Sequence, residues 1–233
     1  MIAETLHRSE PPENVCLRDI EPFACCSPEV IARLETIAQR FALPSSEALP
    51  ETGHGERIVF ITGGAAKLIA PGTPKGHILA FQFPGDIVSI SHRPEGSATL
   101  VALSELELVM FLAHEFLDAA EIDPALLRAV LVRSLDTIQR NRIRMMRLGH
   151  RTARQRVAGF LVNMGERLCG CTSGPCELDL PMGRGDIGNS LGLTIETVSR
   201  QFTELRGEGF VTTSGRSAVH IADIDALRRE AGP

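Results

Sequence analysis

Two short helical patterns meet at a glycine in residues 184–206, Arg-Gly-Asp-Ile-Gly-Asn-Ser-Leu-Gly-Leu-Thr-Ile-Glu-Thr-Val-Ser-Arg-Gln-Phe-Thr-Glu-Leu-Arg. The first pattern places the apolar residues Ile187 and Leu191 four positions apart, on one face of a helix. Gly192 readily adopts the positive φ that ends a helix, and Thr194 is a good N-cap for the second pattern. The predicted apolar face of that second helix contains Ile195, Val198, Phe202 and Leu205. The stretch therefore predicts a helix-turn-helix.

The opposite face of the second predicted helix carries polar and charged side chains close to its N-terminus, namely Glu196, Ser199 and Arg200. A helix that reads the DNA major groove presents its base-contacting side chains from this end. Each of the three is also common on solvated helix surface, and the helix dipole alone favours a glutamate in the first turn. Together with the turn and the cap, they predict contacts with DNA bases.

A hairpin is predicted directly after the second helix. Residues 209–221 form two alternating runs around Ser214-Gly215, which is typical of a β-hairpin and makes the module a winged helix-turn-helix. Asp223 is the predicted N-cap of a short last helix. The candidate contacts to DNA phosphates are Thr194, Arg184 and, at the tip of the wing, Arg216.

The recognition-helix segment 191–200, Leu-Gly-Leu-Thr-Ile-Glu-Thr-Val-Ser-Arg, resembles the signature of the FNR/FixK branch of the CRP/FNR transcription regulators. Residues 151–162 and 179–182 are also similar to that family, and the glycine turns within 59–68 and 81–88 resemble those of its N-terminal β-roll. The resemblance runs from about residue 20 to the end. It implies an α+β fold with a cyclic-nucleotide-binding-like β-roll, a long dimerisation helix, half-sites resembling TTGA, and contact with RNA polymerase.

The expected organisation has four parts: a flexible arm over 1–19, a β-roll sensor-like domain over 20–121, a dimerisation helix over 122–149 and a winged helix-turn-helix domain over 150–233. Within the second part, residues 28–43 are predicted as an amphipathic helix that opens at Ser27-Pro28. Short β-branched runs between Gly/Pro turns predict strands from 56 to 111.

A long helical pattern opens at Asp123-Pro124 and is longer than an ordinary globular helix. Such a stripe favours pairing with a second copy, although burial against the chain's own β-roll would give the same pattern. A homodimer is favoured because two recognition helices can then read adjacent major grooves. The candidate interface residues are Leu127, Leu131, Ser134, Ile138 and Met145.

Charge is distributed unevenly along the chain, whose net charge is −5. Residues 140–233 carry 14 arginines against 10 acidic residues and are net positive, which suits phosphate contacts with double-stranded DNA. The chain has no tryptophan or tyrosine to stack on single-stranded bases. The sequence has no run of 18 apolar residues and no signal-peptide pattern, so a cytoplasmic protein without membrane association is expected.

No cofactor is expected. Family members that bind cyclic AMP hold its phosphate with an arginine after a Gly-Asp turn, but residues 95–102, which follow Gly85-Asp86, contain no arginine. The resemblance also implies that an FNR-type iron–sulfur cluster would need a cysteine in the β-roll, whereas none lies between Cys26 and Cys169. Cyclic AMP and the cluster are both disfavoured.

A Gly/Ser/Pro-rich loop carries three candidate redox residues, Cys169, Cys171 and Cys176. Three thiols at this spacing can form a reversible disulfide or hold a metal, or can simply be unrelated surface cysteines. No metal site is assigned from the sequence, and Arg167 is expected to lower a thiol pKa. The alternative function is a small-ligand or metal-binding β-barrel with an accessory winged helix. An enzyme is not expected, because the β-roll has no His-x-His pair followed by a glutamate.

Overall fold

The computed structural model describes residues 16–51, 55–72, 76–91 and 97–232, except for the side chains of 144–150. The chain folds as two compact units, Met1–Ile138 and Gln139–Pro233. Within the described ranges, none of the helices combines the length and the hydrophobicity that a bilayer span requires.

The first unit is mainly β-structure. It contains α1 (Pro28–Ile37), β1 (Gln39–Leu43), β2 (Glu56–Gly63), β3 (Ala66–Ala70), β4 (His77–Gln82), β5 (Ile87–Ser91), β6 (Thr99–Ala102) and β7 (Leu106–Leu112), followed by α2 (Ala113–Ala120) and α3 (Pro124–His150). The strands pair antiparallel in two sheets with the orders β1-β7-β2-β5 and β4-β3-β6. The predicted β-roll is therefore confirmed.

The prediction of a single helix over 28–43 is wrong in its second half. Ser27 caps α1 as expected, accepting a hydrogen bond from the Val30 N–H at 3.3 Å, but the helix ends at Ile37. Residues 39–43 pair with β7 as an edge strand. Pairing with a strand almost 70 residues away overrides the local preference, which periodicity alone cannot show.

An aromatic cluster forms part of the core of the first unit. Its rings are Phe23, Phe60, Phe111 and Phe116, and the closest pair, Phe23 and Phe60, has centroids 4.8 Å apart in a tilted arrangement. Leu126, from the first turn of α3, is buried in the same cluster. The start of α3 is therefore fixed by packing as well as by its cap, in which Asp123 accepts hydrogen bonds from the next backbone amides at 3.1 and 3.2 Å.

A tight turn of the β-roll is held against α3 by one arginine. The predicted Pro84-Gly85 turn is present, with a Gly85 φ of 88° and the buried Asp86 carboxylate accepting from the Phe83 N–H at 2.8 Å. Arg133 donates to the Gly85 carbonyl at 2.8 Å and pairs with Glu21. This arginine couples the first half of α3 to the sheet.

The predicted interface stripe of α3 divides into two sets. Leu127 is half-buried against the aromatic core, and half-buried Ser134 donates its hydroxyl to the Val130 carbonyl of the same helix at 2.8 Å. Leu131 and Ile138 are 59% and 47% exposed. Met145 lies outside the described side chains.

Three further apolar side chains of α3 are exposed and were not among the predicted interface residues. Ile143, in the second unit, is 38% exposed. In the first unit, Val132 is 50% exposed and Leu135 is 54% exposed. With Leu131 and Ile138 they form a surface that we call the apolar stripe. Leu131, Leu135 and Ile138 follow the four-then-three spacing of a coiled-coil seam.

The second unit contains the predicted winged helix-turn-helix. Its elements are α4 (Ala153–Cys169), β8 (Cys176–Asp179), α5 (Arg184–Leu191), α6 (Ile195–Gly207), β9 (Val211–Ser214), β10 (Ala218–Ile221) and α7 (Ile224–Ala231). The wing hairpin β9–β10 gains a third strand, β8, beside β10. Asp223 caps α7 as predicted, accepting from the Asp225 N–H at 3.0 Å.

The aromatic cluster yields a test with adjacent residues. Phe116 is fully buried, whereas Leu117 is 50% exposed. Phe116→Ala should lower the free energy of unfolding of the first unit by about 3–5 kcal/mol through lost burial and a cavity. Leu117→Ala should change it by less than about 1 kcal/mol. Because the chain has no tryptophan or tyrosine, hydrogen–deuterium exchange of β2 and β7 peptides in urea is the suitable measurement. If both variants lost the same free energy of unfolding, Phe116 would not be the core residue that the aromatic cluster implies.

Candidate nucleic-acid interface

The turn between α5 and α6 is built from a left-handed glycine and a close backbone approach. Gly192 has a φ of 65°, as predicted, and its N–H donates to the Asn189 carbonyl at 3.3 Å. The Leu193 N–H donates to the Gly188 carbonyl at 2.8 Å. A Cβ atom at Gly188 would lie 2.7 Å from the Leu193 oxygen, so the two helices meet this closely only because that side chain is absent.

One face of α6 is buried, and its N-terminus is capped. The Thr194 hydroxyl accepts from the Thr197 N–H at 3.2 Å, which confirms the predicted cap. Val198, Phe202 and Leu205 are buried as predicted. Ile195 lies on the same face but is 49% exposed, so the first turn of that face is only half covered. It stands in the first turn opposite Gly185, which offers no side chain to pack against.

The other face of α6 presents Glu196, Ser199 and Arg200, all exposed. Their spacing of three and four residues places them side by side on a helix. Hydrogen bonds from its own backbone N–H and from the Thr194 hydroxyl lower the pKa of Glu196, so this carboxylate is ionised at neutral pH. Arg200 lies 3.9 Å from Glu204, a long and exposed ion pair that holds the guanidinium weakly.

The three predicted phosphate contacts differ in their surroundings. Arg216 is exposed at the wing turn, and Thr194 uses one hydroxyl lone pair for the cap. Arg184 is half-buried over the ring of Phe202, and burial lowers its pKa to about 10. Its Nη1 atom is buried without a hydrogen-bond partner among the residues that the structure describes. Arg184 thus packs α5 on α6, and its phosphate contact stays a prediction.

Arg154 links three elements within the second unit. Its two terminal nitrogens donate to the two carboxylate oxygens of Glu208 at 2.7 and 2.6 Å, and one of them lies 3.2 Å from Glu230. These bonds join α4 to the ends of α6 and α7. Arg154 is one of the arginines of 140–233 that were expected to suit phosphate contacts. Its carboxylate partners lie more than 50 residues away, so the local sequence gives no sign of them.

Arg156 holds the helix-turn-helix onto α4. Its Nη1 donates to the Leu191 carbonyl at 3.1 Å, and its Nε donates to the Arg151 carbonyl at 3.0 Å. Leu191 is the last residue of α5, whose final carbonyls have no partners within the helix. Arg156 therefore supplies an end-cap from another element, a role that sequence analysis missed.

The three cysteines of the predicted redox loop come together. Their Sγ atoms lie within 4.8 Å of one another, and Cys169 donates to the Glu177 carbonyl at 3.0 Å. Burial raises the thiol pKa of Cys169 and raises that of Cys176 to about 12. The expectation that Arg167 lowers a thiol pKa is therefore not met at these two residues. Protonated thiols are poor nucleophiles, which disfavours direct reaction with peroxide.

The β-roll contains a cavity of about 20 Å³, enough for one water molecule. Arg57, only 3% exposed, lies in its wall. This arginine lies on β2 and not after the Gly85-Asp86 turn, where the family resemblance places one, so no sequence signal pointed to it. Leu49, Glu51, Ile90, Thr99 and Met110 also line the cavity.

Comparison with known proteins agrees with this geometry. The Crp-like helix-turn-helix domain family matches residues 155–230. The chain is 33% identical to the nitrogen fixation regulation protein FixK of Azorhizobium caulinodans over 86% of this chain and 81% of that protein. It is 30% identical to the transcriptional activator protein anr of Pseudomonas aeruginosa, covering 99% and 98%. The FixK2 structure from Bradyrhizobium japonicum superposes with a TM-score of 0.68 at 28% identity, covering 83% and 96%.

Two glycines of α5 test the close approach at the turn. Gly188→Ala should lower the free energy of unfolding of the second unit by about 1–3 kcal/mol, because the new Cβ would press on the Leu193 carbonyl. At Gly185 a Cβ would meet only Ile195 at 3.9 Å, so Gly185→Ala should be neutral or stabilising by up to about 1 kcal/mol. Thermal unfolding followed by circular dichroism measures both. If Gly188→Ala were as stable as Gly185→Ala, the close approach of Gly188 to the Leu193 carbonyl would not limit the side chain at this position.

Proposed function

Because this chain belongs to the CRP/FNR family of transcription regulators, on its FixK-like branch, we propose that it binds a palindrome with TTGA-like half-sites as a homodimer. It is a DNA-binding regulator of transcription and not an enzyme. The observation that carries the proposal is the exposed face of α6, which holds a carboxylate, a hydroxyl and a guanidinium on a rigid and well-capped helix.

The chemistry of this face suits direct reading of base edges. The Arg200 guanidinium can donate two parallel hydrogen bonds to O6 and N7 of guanine, and the Glu196 carboxylate can accept from the exocyclic amine of cytosine or adenine. Ser199 adds a weaker contact. Contacts from Thr194, Arg184 and Arg216 to phosphates would fix the position of α6 in the groove without reading sequence. By resemblance to the family, the full site is close to TTGAT-N4-ATCAA.

Dimerisation is proposed through the apolar stripe of α3. On neighbouring turns of one helix, four large apolar side chains are 47–59% exposed: Leu131, Val132, Leu135 and Ile138. A patch of this kind on a soluble protein commonly marks an interface. Pairing with a second α3 would bury it and supply two recognition helices for the two half-sites.

The proposed regulator uses neither cyclic AMP nor an FNR-type cluster. The support is in the sequence: residues 95–102 contain no arginine, and no cysteine lies between Cys26 and Cys169. By resemblance to the family, its targets are genes of low-oxygen respiration, nitrogen fixation or denitrification, and the FixK relatives are named as regulators of nitrogen fixation. It would act on RNA polymerase in the cytoplasm.

The alternative of a ligand- or metal-binding barrel with an accessory winged helix has less support. Relatives at 30–33% identity match both halves of the chain and are named as regulators or activators. A barrel with an unrelated function would match them only in its winged helix.

The role of Arg200 can be tested by comparing two DNA sequences. Arg200→Ala should weaken binding to the palindrome by about 1–3 kcal/mol per half-site and relax the preference for guanine at one position. Arg206→Ala removes the same charge from the exposed last turn of α6 and should affect palindrome and random duplex alike. Fluorescence anisotropy at fixed salt gives both affinities. Equal losses on palindrome and random DNA for Arg200→Ala would show that it contacts only phosphate.

The apolar stripe can be tested by adding charge to it. Leu131→Glu or Ile138→Glu should separate the subunits and abolish tight operator binding together, because like charges would be buried at the two-fold axis. Leu117→Glu places the same charge on an exposed leucine of α2 and should leave the assembly unchanged. Light scattering and gel shifts measure the two effects. A dimer that persists in both stripe variants would place the interface on another surface.

A further inference from the structure

The cysteine loop joins two elements of the winged-helix unit. Cys169 is the last residue of α4, Cys176 is the first residue of β8, and Cys171 lies between them. The three Sγ atoms converge within 4.8 Å although nothing in the proposed DNA binding uses them. Within the described residues, this is the one group of three cysteine, histidine or acidic side chains whose ligand atoms come this close.

The backbone of the loop is held in place independently of the thiols. The Cys171 N–H donates to the Gly165 carbonyl at 3.1 Å, and the Gly174 carbonyl accepts from the Ile224 N–H at 2.7 Å. Arg228 donates to the Thr172 carbonyl at 3.0 Å. These bonds anchor both sides of the loop to α4 and α7. The sulfurs are therefore brought together by an ordered backbone, which reduces the entropy that a ligand must overcome.

We propose that Cys169, Cys171 and Cys176 bind one thiophilic d10 metal ion, Zn²⁺ or Cu⁺, through three thiolates. Soft thiolate ligands select these two ions among the common biological metals. As each metal–sulfur bond forms, the thiol releases its proton to solvent, and no atom changes its oxidation state. The product is a three-sulfur centre at the junction of α4 and β8.

The distances fit such a centre. With metal–sulfur bonds of about 2.3 Å, the sulfurs stand about 3.8 Å apart in a tetrahedral site and about 4.0 Å apart in a trigonal one. Sulfurs that already lie within 4.8 Å need to move by ~1 Å or less, which small χ1 rotations supply. Each sulfur also belongs to a different part of the loop, so the ion would close a ring rather than sit on one flexible segment.

The exposure of the site decides how each ion would complete its coordination. Cys176 is buried, Cys171 is half-buried and Cys169 is exposed, so the site opens to solvent on one side. Zinc would add a water molecule there as its fourth ligand, whereas monovalent copper is satisfied by three sulfurs. In both cases the ion would fasten the end of α4 to β8, the strand that pairs with the wing strand β10.

Metal titration of the full chain tests the proposal. Protein reduced with a phosphine, stripped with a chelator and kept anaerobic is titrated with Zn²⁺ or with Cu⁺, and bound metal is measured by elemental analysis. We expect one ion per chain, a rise in Tm on binding, and thiolate-to-metal charge-transfer absorption when Co²⁺ replaces zinc. Competition with a zinc-selective and a copper-selective chelator decides which ion is preferred.

Serine variants locate the ion. Cys171→Ser removes one ligand at a half-buried position and should lower the metal affinity at least about tenfold, the scale on which even outer-shell changes act. Cys25→Ser alters an exposed cysteine of the first unit and should retain one ion per chain. Circular dichroism confirms that both variants fold.

Three results would overturn the proposal. The first is reduced wild-type protein that binds neither ion in stoichiometric amount. The second is metal uptake that survives Cys171→Ser unchanged, which would place the ion at another site. The third is a disulfide within the loop, identified by mass spectrometry, in a protein whose reduced form takes up no metal. Uptake of either ion that is lost in Cys171→Ser supports it.

Discussion

The backbone contact between Gly188 and Leu193 sets the geometry on which the DNA-reading surface depends. The hydrogen bond between them is 2.8 Å long, and no side chain fits into the space where α5 meets the turn. The direction in which α6 leaves the turn is therefore fixed by main-chain atoms and not by adjustable side chains. The proposed base contacts Glu196 and Arg200 share that direction, so their orientation would be set before any DNA is bound. Hydrogen bonds to base edges tolerate only small errors in distance, so this rigidity is what specificity needs.

Much of the positive charge near the start of the second unit is used inside the protein. Arg154 is neutralised by two carboxylates, and Arg156 satisfies carbonyl groups at the end of one helix and the start of another. A count of arginines therefore overstates the cations that remain for phosphates. The same bonds explain how α5 and α6, which have little core of their own, are held rigid. Arginines of α4 bind them through ion pairs and through hydrogen bonds to backbone carbonyls.

The elements predicted well from the sequence are those whose signals are local. Gly192, the Thr194 cap, the wing turn and the Asp123 cap each depend on neighbours within a few residues, and each is present. The failures are all non-local. Residues 39–43 become a strand because β7 lies beside them, and the half exposure of Ile195 depends on what α5 places opposite it. Periodicity did not show that the aromatic core half-buries Leu127 or that Leu135 is exposed, whereas the interface role of the predicted residues stays a prediction. The convergence of three sulfurs could not be predicted either, since the loop spacing allows many conformations.

The proposed pairing through the apolar stripe on α3 would make the protein's own concentration a variable in its behaviour. A lone subunit keeps four large hydrocarbon side chains in water, and association relieves that hydration cost. By mass action, dilution favours the separated form and accumulation favours the paired one. DNA that engages both halves would hold two subunits at high local concentration and so promote their pairing. Synthesis and degradation could then regulate such a protein without any small-molecule signal.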